Sequence, residues 1–396
     1  MSRMPTRRAP QARSASPWII VAGRLPPPID GMSRVTTLVL ERLRRHGTVR
    51  AADLSPGHNG RGPLYHAVKA GRVLWAALQL WAGAMRADKR LYMPADAGLG
   101  CWYTIFLLGV ARLLGYALFV HHHSYAYLTK RKARMALLTR VAGPRCRHIL
   151  LSPAMQARFQ ALYPAARQGV VLSNAIFTPP DAAPAPLRRS HAALRLGHLS
   201  NLCLDKGLDT LFSLLRALLD EGIPAKLVLA GPGLSRMDEA LIAAGLYEFG
   251  DAVEYLGPLD GAAKEAFYRD IDVFVFPTRY HNEAQPLVLF EALAAGVPAL
   301  AYARGCIAGD LGLGPAGRVV PVDEDFVRAV LPTLRTWAAD REALHRSAQA
   351  ALARAQAAHE QSREGLERLV AMLIGPVPQP EPAPREREAA PAPRSL

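Results

Sequence analysis

Apolar positions along this chain form two series of short hydrophobic runs alternating with segments of helical period. The first run, Trp18-Ile-Ile-Val-Ala-Gly23, is nearly continuous, as in a strand buried on both faces. After a proline-rich loop, Pro26-Pro-Pro-Ile-Asp-Gly31, the residues Val35, Leu38, Val39 and Leu43 predict a helix over 32–45. Its arginines gather at the C-terminal end, where the helix dipole favours cations. A second strand is expected at 49–54. The pattern restarts at Leu194, with strands at 194–199, 227–230, 253–256, 273–276 and 299–301 and helices including 208–220, 262–270 and 286–295. Such alternation predicts a parallel sheet covered on both faces, and two series predict two doubly wound domains.

The longest apolar stretch, 100–120, is interrupted only by Arg112 and has the length of a membrane span. The break at Gly115 and the β-rich end favour two shorter elements, a helix over 99–114 and a strand over 116–120. The expected organisation is a basic tail (1–16), a first domain (17–180), a proline-rich linker (181–192), a second domain (193–345), a C-terminal helix (346–375) and a Pro-, Glu- and Arg-rich tail (376–396).

Charge changes the picture. Residues 1–180 hold 26 Lys and Arg against 5 Asp and Glu, a net of +21; residues 181–396 hold 22 against 28, a net of −6. The first half is therefore expected to face something anionic. Nucleic acid is the weaker partner, because no stacked-aromatic or recognition-helix signature accompanies the charge. An anionic membrane surface suits it better. The stretch 64–85 carries Leu74, Trp75, Leu78, Trp81 and Met85 beside Lys69, Arg72 and Arg86, and 129–148 adds Lys130, Arg131, Lys132, Arg134, Arg140, Arg145 and Arg147. The plainer alternative makes those apolar residues core and those cations a solvated face. Four scattered cysteines fit a reducing cytoplasm, and the N-terminus lacks the apolar run of a secretory signal.

Candidate chemistry centres on Glu283 and Glu291, in Asn282-Glu-Ala-Gln-Pro-Leu-Val-Leu-Phe-Glu-Ala-Leu-Ala-Ala-Gly296. Pro286 suits the first helical position, and Gly296 with Pro298 ends the helix. That helix is apolar nearly all round, so Glu291 needs hydrogen-bond partners. A ligand with paired hydroxyls, such as a ribose, would supply them; so would an Arg or a backbone N–H at the helix edge. Asp323-Glu324-Asp325 reads as a helix cap rather than a metal motif. Consecutive His121, His122 and His123 lie on a strand and face opposite sides, which argues against a shared metal.

The Glu-x7-Glu element following Phe276-Pro-Thr resembles retaining glycosyltransferases of the GT-B fold, family 4 in particular. Leu196-Gly-His-Leu-Ser-Asn-Leu-Cys-Leu-Asp-Lys-Gly207 resembles the opening strand and Lys-Gly turn of their donor domain. Lys226-Leu-Val-Leu-Ala-Gly-Pro-Gly233 resembles its second strand and glycine turn, and Val253-Glu-Tyr-Leu-Gly-Pro-Leu259 the strand and loop that hold the base. Val170-Val-Leu-Ser-Asn-Ala-Ile176 looks like the strand end closing the first domain. The resemblance covers roughly residues 17–345 and is most specific from 194 to 305.

It implies an α/β GT-B architecture, two Rossmann-like domains facing across a cleft, with the nucleotide on the second and the acceptor on the first. It implies transfer from a UDP- or GDP-sugar to a glycan or lipid-linked acceptor, without a metal, in bacterial surface polysaccharide or glycolipid synthesis at the inner face of the membrane. Lys206 would hold the diphosphate, with the N–H groups of Leu287 and Val288 and the Gly31 loop. Glu291 would take the ribose, and Glu283 and His123 the sugar. Gly231, Gly257, Leu259 and Asn201 would complete the donor site. The family places an Arg a few residues before Lys206; this chain has none between Arg195 and Lys206, so either His198 and neutral donors, or Arg279 or Arg304, would substitute. A nucleotide-sugar epimerase of the same fold and a non-enzymatic basic protein binding nucleic acid or membrane are the alternatives.

Overall fold

The computed structural model describes residues 17–27, 31–57, 62–178, 192–312 and 314–375. The expected tails at 1–16 and 376–396, Asp30, and the linker up to residue 191 lie outside the described residues. Two six-stranded sheets, every strand pairing parallel, form the scaffold. The first sheet contains β1 (Trp18–Gly23), β2 (Val49–Asp53), β3 (Lys89–Pro94), β4 (Ala117–His121), β5 (Arg147–Leu150) and β6 (Gln168–Val171), in the order β2-β1-β3-β4-β5-β6. The second contains β7 (Leu194–Leu199), β8 (Ala225–Ala230), β9 (Val253–Tyr255), β10 (Val273–Phe276), β11 (Ala299–Tyr302) and β12 (Gly317–Val320), in the order β12-β11-β10-β7-β8-β9.

Between the strands run α1 (Gly31–Arg44), α2 (Pro63–Ala82), α3 (Cys101–Leu113), α4 (Ala133–Ala142) and α5 (Pro153–Leu162) in the first domain. The second carries α6 (Leu208–Asp220), α7 (Arg236–Phe249), α8 (Gly261–Asp270), α9 (Leu287–Ala294), α10 (Ile307–Leu311) and α11 (Phe326–Ala339). Helices cover both sheet faces, which is why central strands such as β10 are apolar and buried at every position. The stretch 100–120 is α3, a turn at Gly115 (φ +79°) and β4. Among the described residues no helix is long and apolar enough to cross a membrane.

A 34-residue helix, α12 (Arg341–Ile374), leaves the second domain and ends on the first. Its Leu369, Val370 and Leu373 share a core with Ile19, Val21, Tyr92 and Phe119. The fully buried Arg90 of β3 donates to the Met372 carbonyl at 3.0 Å and to that of Gly375, satisfying the helix end.

Strand order locates the crevice. In the second sheet β7 lies between β8 and β10, so the connections leave in opposite directions there, and ligands bind outside the carboxyl ends of strands at such a switch point. The loops after β7 and β10 carry Lys206 and Glu283.

Candidate functional site

Lys206 closes the turn after β7. The next residue, Gly207, has φ +84°, and a Cβ there would lie 2.4 Å from the Pro277 carbonyl oxygen. Only glycine lets this turn press against the loop after β10. The Lys206 ammonium thereby reaches Glu283 Oε2 at 2.5 Å, while the Thr278 hydroxyl donates to the same oxygen at 3.3 Å. The ammonium also stands 4.8 Å from the Tyr280 ring centroid and 5.5 Å from that of Phe276. Behind Glu283, Gly305 (φ +58°) lets the loop after β11 approach; a Cβ there would meet the Ala284 and Glu283 carbonyls at 2.3 and 2.6 Å.

Glu291 lies in α9 and turns toward the cleft. Lys264 of α8 donates to its Oε1 at 2.6 Å, and the Tyr268 hydroxyl donates to its Oε2 at 3.0 Å. Burial and the adjacent carboxylate raise the Tyr268 pKa well above its ordinary value, so this hydroxyl stays a donor. From the opposite domain, Arg34 of α1 comes to 3.6 Å from Oε1. Both oxygens therefore have protein partners. A ribose would share the carboxylate with Lys264 and Tyr268 and compete with the half-exposed Arg34. Pro286, expected as the first helical residue, is instead the cap, with extended backbone (ψ 128°), and Leu287 begins α9.

The remaining donor-side residues divide. Gly231 (φ +114°) allows no side chain, since a Cβ would lie 1.8 Å from the Ser200 carbonyl oxygen; its N–H donates to the Gly257 carbonyl at 2.7 Å. Gly257 (φ +69°) has open space around it, Asn201 is exposed, and Leu259 is partly buried against the sheet. His198 is not available to a phosphate. It is fully buried, its Nδ1 lies 2.8 Å from the Val275 carbonyl oxygen, and its Nε2 lies 2.7 Å from the Ser200 hydroxyl. Burial pushes its pKa down to about 4, so it is neutral as well as occupied. Its position in the middle of the sheet, stacked on Phe274 and Phe276, is the reason. Arg279 is turned to the Tyr302 hydroxyl (3.3 Å) and Asp209 (3.7 Å), and Arg304 to the Arg279 carbonyl (2.8 Å). Neither completes a pair with Lys206.

The first domain reaches the same loop. Ser124 donates to Asn282 Oδ1 at 3.2 Å, and the Tyr125 N–H donates to the Asn282 carbonyl at 3.3 Å. The segment after β4 is thus fastened to the residue preceding Glu283. His123 stands here with its Nε2 shut away from solvent and without a partner among the described residues, its ring 3.9 Å from that of His121. Burial lowers its pKa to about 3. His122 is committed to core, bonding Tyr127 and His148 at 3.0 Å each. Gly31 opens α1 and is exposed. Among the described residues no three His, Cys, Asp or Glu side chains are grouped to hold a metal, and Asp325 caps α11 by accepting from the Arg328 N–H at 2.8 Å.

A cavity of about 220 Å³ adjoins this contact, lined by Asp96, Cys101, Lys132, Arg134, His281 and Asn282 among others. Lys69 neutralises Asp96 at 2.7 Å. Neither Lys132 nor Arg134 is paired with a carboxylate among the described residues, so the cavity suits an anionic or hydroxyl-rich group. Sequence reasoning missed Lys264, Tyr268, Thr278 and Gly305, and it missed the clamp of Asn174 on Gln285, with N–H and Nδ2 each donating at 2.7 Å. Gln285 lies within the acidic motif, two residues after Glu283, and its polarity in an apolar segment was the available signal.

Residues 189–352 match the family described as Glycosyl transferases group 1. The chain is 34% identical over 141 residues to D-inositol 3-phosphate glycosyltransferase of Actinosynnema mirum, covering 33% of each chain. It spans a third of that relative's length and 8% of another curated relative it matches. Among solved structures, sucrose-phosphate synthase from Thermosynechococcus elongatus superposes with a TM-score of 0.70 at 18% identity, over 90% of this chain and 99% of that one. Anabaena HepE in complex with UDP gives 0.60 at 15% identity, over 89% and 100%. The fold is GT-B, as the resemblance implied, and its two parallel six-stranded sheets with flanking helices are the two doubly wound domains that the doubled strand–helix pattern predicted. The family match thus falls on the second domain and its following helix, and the likeness to the solved structures extends the fold to both domains.

Proposed function

We propose that the protein is a retaining glycosyltransferase that moves a sugar from a nucleotide-sugar donor to a glycan or lipid-linked acceptor at the cytoplasmic face of a membrane, in the synthesis of surface polysaccharide or glycolipid. The observation that carries the reading is the contact of Lys206 with Glu283 at the switch point of the second sheet, fastened through Asn282 to the segment bearing His123. A UDP- or GDP-sugar would lie across the ends of β7 and β10. Its base would sit against the backbone of Gly257 and the side chain of Leu259, and its ribose at Glu291. Its diphosphate would draw the Lys206 ammonium away from Glu283 and meet the free N–H groups of Leu287 and Val288 at the positive end of α9. Glu283, released, would accept from sugar hydroxyls opposite His123.

The chemistry then asks little covalent work of the protein. The bond from the anomeric carbon to the diphosphate oxygen breaks, and the acceptor oxygen adds on the same face. Its proton passes to the departing phosphate oxygen. Lys206 stabilises the charge that develops there, and the two domains orient the reactants. An epimerase would share the donor side; the cations that line the cavity, Lys132 and Arg134, favour a second substrate and hence transfer.

Calorimetry with UDP-, GDP- and ADP-sugars tests the donor. One base should bind in preference, and loss of that binding in Glu291→Gln would support the ribose contact. NMR of the product should show the donor's anomeric configuration retained. Product formed from donor alone, without any acceptor, would replace transfer by epimerisation.

A further inference from the structure

We infer that the outer face of α2 and α3 docks on an anionic lipid bilayer. The residues Leu74, Trp75, Leu78 and Trp81, followed by Met85, recur at helical spacing on one side of α2. They are 59%, 60%, 61%, 68% and 97% exposed. The opposite side, Val73, Ala76 and Leu80, fills the core with Leu107, Leu108 and Ala111 of α3. Leu99 (72%), Trp102 (50%), Phe106 (45%) and Leu113 (90%) continue the bare apolar surface onto α3 and its approach. A face of this size on two adjoining helices lies beyond the scattered apolar residues of an ordinary surface.

Charge identifies the occupant. The sequences of α2, α3 and α4 contain no Asp or Glu. Arg86, Lys130, Arg131, Arg134, Arg140 and Arg145 are exposed around them. Lys69, in contrast, is buried against Asp96 and takes no part. Aromatic and aliphatic side chains bordered by cations match a bilayer whose headgroups are anionic. A second copy of this chain fits worse, since it would bring two basic rims together. The cavity lined by Gly98 and Cys101 lies beside Leu99 and Trp102, so docking leaves it at the lipid surface, within reach of an acceptor held there. The inference deepens the membrane side of the proposed function but stands on surface chemistry alone.

The test needs neither donor nor acceptor. Three of the five tryptophans, Trp75, Trp81 and Trp102, lie on this face. The full chain should sediment with vesicles of mixed phosphatidylglycerol and phosphatidylcholine, and much less with phosphatidylcholine alone. Its fluorescence should shift to the blue and be quenched by brominated lipid. The double variant Trp75→Ala, Trp81→Ala should bind at least tenfold more weakly while circular dichroism and nucleotide binding stay unchanged. No sedimentation with anionic vesicles, or sedimentation unaltered in the double variant, would overturn the inference. So would a wild-type dimer, seen by light scattering, that the double variant dissociates. None of these results bears on donor binding, so the transferase reading would survive them.

Discussion

The Lys206 ammonium rests 2.5 Å from the Glu283 carboxylate, in a pocket where both side chains are less than one-fifth exposed. Two groups expected to touch different parts of one donor thus pair with each other. In the proposed function a diphosphate would replace Glu283 as the partner of the lysine, and the freed carboxylate would then need hydroxyl donors. A largely buried carboxylate left alone would be costly.

That exchange separates two variants. Lys206→Ala should weaken nucleoside diphosphate binding and lower kcat/KM by a factor of about 10²–10³, the effect of losing one group aimed at developing negative charge. Glu283→Gln should keep or tighten nucleoside diphosphate binding, because the lysine loses its competitor, and yet lower turnover with the intact nucleotide sugar. Calorimetry set beside initial rates reads both. Equal loss of diphosphate affinity in the two variants would show that the pair acts as one structural unit.

Glu291 is shared among Lys264, Tyr268 and Arg34, and only Arg34 comes from the facing domain. Arg34 is 46% exposed, so its pairing is worth at most about 1 kcal/mol. Arg34→Ala should leave the melting temperature nearly unchanged and the donor affinity equal or higher. Glu291→Gln should lower that affinity and remove the preference for a ribonucleotide over its 2′-deoxy analogue. Undiminished discrimination against the deoxy compound in Glu291→Gln would assign the ribose elsewhere.

How much of this was legible depended on where each signal lay. Continuous runs such as Val273-Phe-Val-Phe276 announce a doubly covered sheet because every position is buried. Gly207 and Gly296 mark turns because their φ values, +84° and +69°, suit glycine. The partners of Glu291 were not legible. Lys264 lies 27 residues away on another helix and reaches the carboxylate only through the packing of α8 on α9. His198 misled for a related reason: its place in the motif matches a ligand position, but its side chain points into the sheet, where Ser200 and the Val275 carbonyl engage it. In 64–85, sequence alone left core and surface open, because hydrophobicity is equal for both; exposure separates Trp75 from Val73.

Buried ionisable groups give stability a pH dependence of two opposing signs. Burial lowers His148 and His198 to about 4 from 6.5, and His121 and His122 well below 6.5. Below pH 6.5 the unfolded chain binds more protons than the folded one, so these histidines stabilise the fold above that pH and cease to do so as pH falls toward 4. The loss is roughly 3 kcal/mol for each of His148 and His198, a large part of a typical domain's stability. Asp310 runs the other way. Burial raises it to about 7 from 3.8, so its contribution is full below 3.8 and disappears as pH rises through 7, by about 4 kcal/mol. The chain should unfold in acid between about pH 6 and 4 with net proton uptake. Asp310→Asn should raise the melting temperature at pH 8 relative to pH 5, compared with wild type. Denaturant titrations at several pH values measure both, and a flat acid limb would contradict the burial of the histidines.

His123 gives the sharpest kinetic expectation. Its ring is held against His121, its Nε2 lacks a partner among the described residues, and burial lowers its pKa to about 3. At any pH where the chain is folded it is therefore a neutral imidazole, able to give or take one hydrogen bond but carrying no charge. If that nitrogen meets a hydroxyl of the bound sugar, the kcat profile between pH 5.5 and 8 should show no ionisation that disappears in His123→Gln. The variant should lower kcat by about 10-fold to 100-fold, the usual scale of a hydrogen bond made in the transition state. Binding of the bare nucleoside diphosphate should be unchanged, since that molecule lacks the sugar. His123→Phe should lose as much turnover as His123→Gln or more, because a ring of similar size without a nitrogen restores packing but not the bond. Full activity in His123→Phe would show that the ring only fills space.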